Sequence, residues 1–283
     1  MFIDSHQHFW RYSPTEHAWM TPAMSAIQRD FLPSDLKPLL AVTGFERSIA
    51  VQARQSLEET RWLLQLADHH ESIAGVVGWV DLCSDQAAEQ LAEFARCGGP
   101  RGRSKLVGVR HVVHDEPDDR FMLRAEFRRG VGMLSKHRLT YDLLLFPRHL
   151  PIATALVDEF VAQPFVVDHL AKPPIASGEL NPWVDDLREL ARRDNTYCKL
   201  SGMATEADWR RWQPSDFVPY LDAALEVFGP DRLMIGSDWP VCTLAGDYET
   251  VMGAVLGYVE RLAPSERTAI LGTTCRRFYR LEE

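Results

Sequence analysis

Phe2-Ile3-Asp4-Ser5-His6-Gln7-His8 opens the chain with an apolar start and a polar finish. Side chains on a strand alternate faces with a period of two. His6 and His8 therefore point the same way, and strict alternation sends Asp4 with them. Seven further short runs, rich in β-branched and apolar residues, follow at intervals: Arg47–Ala53, Ile73–Asp81, Leu106–Val113, Thr140–Phe146, Phe165–Leu170, Thr196–Gly202 and Leu233–Asp238. Most are continuous apolar stretches, as parallel strands buried on both faces require.

Amphipathic segments separate these runs. Leu57–His70, Asp85–Cys97, Arg120–His137, His149–Val161, Trp183–Arg193, Asp216–Phe228 and Tyr248–Leu262 each carry a helical apolar stripe, and Pro264–Tyr279 reads as a terminal helix. Gly98-Gly99-Pro100 marks a loop, and Trp10–Pro33, with three prolines, reads as a long irregular loop after the first strand. Strands alternating with helices form either an open doubly wound sheet or a closed barrel. No glycine-rich phosphate loop follows the first strand, which argues against the open nucleotide-binding sheet. The expectation is an α/β chain, one (β/α)8 TIM barrel domain over residues 1–283, and the length suits it, since such barrels take roughly 250 residues.

Composition narrows the function. The net charge is −9, with no basic stripe, so no nucleic-acid partner is expected. No apolar run approaches a membrane span, so no membrane partner is expected either. Five widely spaced cysteines without a CxxC argue against a disulfide framework or a thiolate zinc site. The chain opens without the charged and apolar regions of a signal peptide, so a cytoplasmic location is expected. Self-association into a homo-oligomer stays open.

In a barrel, inward-facing residues at strand ends line the catalytic mouth. His6 and His8 end the first strand, His169 the sixth and Asp238 the eighth. The first and eighth strands of a closed barrel are neighbours, so Asp238 falls beside the histidine pair. Imidazoles there can bind one divalent ion or polarise a carbonyl, and a carboxylate can deprotonate water or ligate metal. Arg54, Arg110, Lys172 and Trp239 also sit at strand ends, where a polyhydroxy ligand needs donors and an apolar face. Arg54 has a competing partner in Glu58 or Glu59, and Arg110 and His111, being adjacent, face opposite ways.

The chain resembles the amidohydrolase superfamily, in particular its branch of sugar lactonases and pyrone-dicarboxylate lactonases. The resemblance runs from IDSHQHFW at position 3 through GVRHV, VVDHLAKP and KLSGM to RLMIGSDWPV and the closing RRFYRL. It implies that His6, His8, His169 and Asp238 are catalytic. It selects Arg110 over His111 as the inward residue. It implies a small-molecule sugar lactone as substrate, for instance L-fucono-1,5-lactone or a related deoxy-sugar lactone, opened by water that a general base activates. Strand four ends Val107-Gly108-Val109-Arg110-His111 and strand five Leu143-Leu144-Leu145-Phe146, so the lysine and histidine of two-metal members are absent. The resemblance thus implies at most one divalent ion, zinc first, held by His6, His8, His169 and Asp238, or no metal at all. A metal-dependent decarboxylase, an amide hydrolase and a sugar-lactone isomerase of the same superfamily remain alternatives.

Overall fold

The structure is a computed structural model and describes residues 1–96 and 104–282. Eight strands lie in one all-parallel sheet in chain order. They are β1 (Ile3–Gln7), β2 (Arg47–Val51), β3 (Ile73–Gly78), β4 (Leu106–His111), β5 (Thr140–Leu143), β6 (Phe165–Val167), β7 (Thr196–Leu200) and β8 (Leu233–Ile235). Closure comes at the rim: the His8 amide donates to Trp239 O at 2.7 Å and the Asp238 amide to His6 O at 2.8 Å. The strands fall inside the expected runs but stop sooner, because their last residues turn out to form the mouth.

Helices α1 (Pro33–Thr43), α2 (Leu57–His69), α3 (Ala87–Arg96), α4 (Ala125–Leu134), α5 (Leu150–Glu159), α6 (Trp183–Ala191), α7 (Met203–Glu206), α8 (Pro214–Phe228) and α9 (Tyr248–Val259) surround the sheet. Ser56 caps α2 by accepting from the Glu58 and Glu59 amides, and Asp247 caps α9 through the Thr250 amide. The expected loop at Gly98-Gly99-Pro100, like the end of the helix expected to reach Cys97, lies outside the described residues. The first outer helix, α1, went unread because of its prolines: Pro33 takes the first turn, where it is well tolerated, but Pro38 sits inside the helix. The terminal helix begins as α10 (Pro264–Thr268), widens into a π-helical turn over Ala269–Thr273 and ends as α11 (Thr274–Phe278).

Two apolar layers result. The larger lies between sheet and helices. The smaller fills the lower barrel: Ile3, Ile49, Val51, Val77, Val166 and Met234 meet Cys275, Phe278 and Tyr279 of the C-terminal segment, which closes that end. Inward positions are thus apolar at the bottom and polar above, and the chemistry is lifted toward the open mouth. No described helix is long and apolar enough to cross a membrane.

Candidate active site

His6 and His8 rise from the end of β1 into the barrel, their Nε2 atoms 3.2 Å apart. Asp4 does not follow them. The pairing of β1 with β2 slips between Asp4 and Gln7, and that irregularity breaks the period of two. Asp4 instead accepts from Tyr248 Oη at 3.1 Å on α9 and from the Ser237 amide and hydroxyl at 2.9 and 2.6 Å, tying β1 to the β8 exit. Burial pushes its carboxyl up to about 6, against the pull of those bonds.

Asp238 follows β8 with φ +58, a conformation that Asp tolerates better than most residues. Its Oδ1 lies 3.3 Å from His8 Nε2 and 3.8 Å from the Nε2 atoms of both His6 and His169. The three imidazoles and the carboxylate therefore converge on one point. Burial pushes the Asp238 pKa up, but His169, His8 and Lys172 outweigh it and hold the carboxyl below the usual range.

His169 begins a left-handed turn: His169, Leu170, Ala171 and Lys172 all have φ between 52° and 59°. L-residues pay roughly 1–2 kcal/mol each for that geometry, and such strain concentrates at functional sites. Trp183 Nε1–H donates to Leu170 O at 2.7 Å and pins the turn. His169 Nδ1 meets Ser201 Oγ at 2.9 Å. Its ring lies directly over Gly202, where a Cβ would stand 2.5 Å from Nδ1. Gly202→Ala is expected to displace the ring and lower kcat/KM by about 100-fold, the usual scale for a misplacement near 1 Å. Steady-state kinetics with a thermal melt checks this. Wild-type kcat/KM in a folded Gly202→Ala protein would show that the ring position is unimportant. Gly236 gives His6 the same room on the other side, since a Cβ there would stand 2.8 Å from His6 Cβ.

Below the histidines lies a buried ionic layer that the sequence reading did not single out. Lys199 Nζ on β7 reaches Asp142 Oδ2 on β5 at 2.5 Å, Asp168 Oδ1 after β6 at 2.9 Å and His6 Nδ1 at 3.1 Å. Arg110 on β4 points inward, donating to Asp168 Oδ2 at 3.0 Å, with His6 Nε2 at 3.3 Å. Its neighbour His111 faces outward, stacked on Phe121 and hydrogen-bonded to Glu116. Tyr279 Oη–H donates to Asp142 at 2.7 Å, which couples the C-terminal segment to this layer. Burial dominates Lys199 and disfavours its charge, yet Asp142 and Asp168 raise its pKa above the ordinary value. One signal could have found these groups: a charged residue in an otherwise apolar parallel strand is buried on both faces and must have a partner.

The hydrogen bonds restrict the imidazole protons. His8 Nδ1 lies 2.8 Å from the Val51 carbonyl and therefore carries a proton, while Nε2 faces Asp238. His6 Nδ1 faces the Lys199 ammonium at 3.1 Å and the Asp168 carboxylate at 3.3 Å. It can accept from the lysine with its proton on Nε2, or donate to the aspartate with Nε2 free. Burial holds His6 and His169 neutral, well below their ordinary pKa.

These neutral histidines have a stability consequence. Burial also lowers His111, and takes His114 down to about 3. Below pH 6.5 the unfolded chain binds protons that these folded histidines refuse, so stability is lost as pH falls. Burial lowers His17 and His149 as well, while Asp4 and Asp142, both pushed by burial to about 6, and Glu59, to about 7, act in the opposite sense, because the folded state binds their protons first. The histidines are the more numerous. The urea midpoint should therefore fall from pH 7 to pH 5, and a midpoint that rises would contradict this balance.

The site opens into a cavity of about 760 Å³, within the range of small-molecule pockets. His8, His169, Asp238 and Arg110 form part of its lining, as do Arg54 and Lys172. Both of these outer cations are paired: Arg54 with Glu16 at 2.6 Å and, more loosely, with Glu59 at 3.6 Å, and Lys172 with Glu206 at 2.7 Å. Trp239 is placed differently from the sequence expectation. It is buried, edge-on to Phe31 and Phe9, and is not part of the lining, because the left-handed turn at Asp238 swings the next residue under the loop. Trp10, Trp19 and Trp209 supply the aromatic surface instead.

The donor set fits a single zinc ion. Zinc bonds of ~2.0–2.1 Å at tetrahedral angles put ligand atoms roughly 3.3 Å apart. The separations of 3.2, 3.3 and 3.8 Å among His6, His8 and Asp238 are close to that, while His169 belongs to a different close set. A second close set among the described residues, His6 with Asp168 and His169, shares His6 with the first, and its Asp168 is already paired with Lys199 and Arg110.

A (β/α)8 barrel with imidazoles and a carboxylate converging at the mouth defines a hydrolase-type barrel enzyme. The family model described as Amidohydrolase matches residues 3–281, and the chain belongs to that family. It is 45% identical to an L-fucono-1,5-lactonase of Burkholderia multivorans, over 99% of this chain and 96% of that protein. It is 24% identical to a 2-pyrone-4,6-dicarboxylate hydrolase of Comamonas testosteroni, over 93% and 84%. A solved B. multivorans amidohydrolase with bound zinc superposes with a TM-score of 0.94 at 45% identity, covering both chains fully. The chain is a hydrolase and sits in the lactonase branch of its family.

Proposed function

We propose that this chain opens a sugar lactone, L-fucono-1,5-lactone or a close deoxy-sugar relative, by direct attack of water. The observation that carries the reading is the convergence of Asp238 with His6, His8 and His169, of which Asp238, His8 and His169 line a polar-rimmed cavity of about 760 Å³. The 45% identity to a chain of that activity, over nearly full length, supports the substrate class.

Asp238 Oδ1 holds the water and takes its proton as the oxygen attacks the ring carbonyl. His169 through Nε2 donates toward the carbonyl oxygen and stabilises the developing oxyanion, and His6, buried behind His8, positions the group. Arg110 adds positive charge behind His6 and balances Asp168. The tetrahedral intermediate collapses with cleavage of the bond between carbonyl carbon and ring oxygen. Asp238 returns its proton to that oxygen, giving the open hydroxy acid. His6, His8 and Asp238 would hold a zinc ion, which would supply Lewis-acid polarisation of the carbonyl and an acidified water.

A pH-indicator assay across fucono-, rhamnono-, galactono- and arabinono-lactones tests the reading, run with zinc and after chelation. Acid release on at least one neutral lactone is expected. A panel with no acid release under either condition would end it.

A further inference from the structure

The outer pocket holds charge in closed pairs. Among the described residues, each Arg or Lys that lines the cavity has a carboxylate partner: Arg54 has Glu16 at 2.6 Å, Arg110 has Asp168 at 3.0 Å, and Lys172 has Glu206 at 2.7 Å. Asp115, Glu116 and Asp238 line it as well, so negative groups outnumber positive ones around the substrate space. The Lys172–Glu206 pair is the informative one. Both side chains are about four-fifths buried, at 19% and 21% exposure, so the pair is only partly screened by solvent. Lys172 ends the left-handed turn begun by His169 and lies near enough to Asp238 to help hold it ionised. Glu206 ends α7, four residues beyond Gly202, under the His169 ring.

We propose that Glu206 is a specificity-determining residue: by neutralising Lys172 it makes the pocket select uncharged lactones and expel the carboxylate product. This rests on the lactonase reading above and names a residue that enforces its substrate class. A lactone bearing a free carboxylate would have to break a partly buried pair or lie unpaired beside Asp238, and either outcome penalises it. The neutral substrate escapes that penalty. Its product does not, because ring opening creates a carboxylate in a pocket already rich in them. The same arrangement that rejects anionic lactones therefore speeds release of the hydroxy acid.

The test compares L-fucono-1,5-lactone with glucaro-1,4-lactone, which carries a free carboxylate. In Glu206→Gln the freed ammonium should raise the charged-to-neutral ratio of kcat/KM by about tenfold or more, the scale of one relieved charge contact. Inhibition by the aldonate product should tighten in parallel. The double variant Lys172→Gln, Glu206→Gln should lose that gain. A second measurement needs no variant and no turnover. Aldonate binding to the wild-type protein, read by the fluorescence of pocket residues Trp19 and Trp209, should strengthen from low to high ionic strength, because salt screens repulsion. An unchanged ratio in a folded Glu206→Gln protein, a gain that survives in the double variant, or aldonate binding that weakens with salt would overturn the proposal. Absence of turnover on every neutral lactone would instead strike the lactonase reading, and the salt dependence would still report the charge of the pocket.

Discussion

Asp238→Asn lowers kcat by about 1,000-fold or more and leaves KM within a few-fold of wild type, as expected when a general base worth 10²–10⁴ is removed. The substitution is nearly isosteric, so the effect isolates the proton acceptor. The backbone at 238 has φ +58, which Asn accepts as readily as Asp, and its main-chain bonds to His6 O and from the Cys242 amide need no side chain. Burial opposes its charge, but the groups around it hold the wild-type carboxyl below its usual range, so the proposed base stays ionised across the working pH. His6 and His169 stay neutral for the opposite reason, burial. His6 and His169 should accordingly add no limb near 6.5 to the wild-type profile of kcat/KM, once spontaneous lactone opening is subtracted. Steady-state rates by pH indicator measure both. Turnover near wild type in Asp238→Asn would remove this residue from the role of base.

Lys199→Met destabilises the protein by about 3–5 kcal/mol, the usual result of removing one partner from a buried ion network. Lys199 is fully buried and balances both Asp142 and Asp168, and methionine leaves those carboxylates without it. Their options are to stay charged in a low dielectric or to take up protons, and both cost stability at neutral pH. The lysine's own pKa is raised in the fold, so its contribution is complete below its unfolded value near 10.4. It is lost only as pH rises through the higher folded value. Asp168 works at the other end. Burial opposes its charge, but Lys199, His6 and Arg110 hold its pKa well below 3.8, so its contribution persists until strongly acid pH. Urea unfolding at pH 7 measures the loss. Lys199→Met with Asp142→Asn should recover part of it, because one of the stranded charges is then gone. A single variant as stable as wild type would mean that the layer contributes nothing. His6 also loses the group that faces its Nδ1, so activity should fall in the folded fraction.

The site was legible where the geometry is local. Period-two alternation suffices to put His6 and His8 on one face, and chain order suffices to bring Asp238 beside them once the barrel closes. It failed at Asp4, where one slip in strand register reverses a side chain, a change that alternation cannot foresee. It failed at Trp239, whose direction depends on a left-handed residue before it. Nothing in Asp168-His169-Leu170-Ala171-Lys172 announces four successive left-handed residues, since none is glycine. Arg54 and Lys172 were found as cations near the mouth, but their carboxylate partners are 38 and 34 residues away in the chain, at Glu16 and Glu206.

The sequence by itself determined the alternating elements, the closed barrel and the four groups at the strand ends, because each depends on hydrophobic period and chain order. Only the tertiary structure decided which charges meet. Asp142 comes from β5, Asp168 from the turn after β6 and Lys199 from β7, and long-range pairing in a buried space is a property of distance rather than of spacing along the chain. That pairing sets which groups surround His6, and which cations at the mouth are already spoken for.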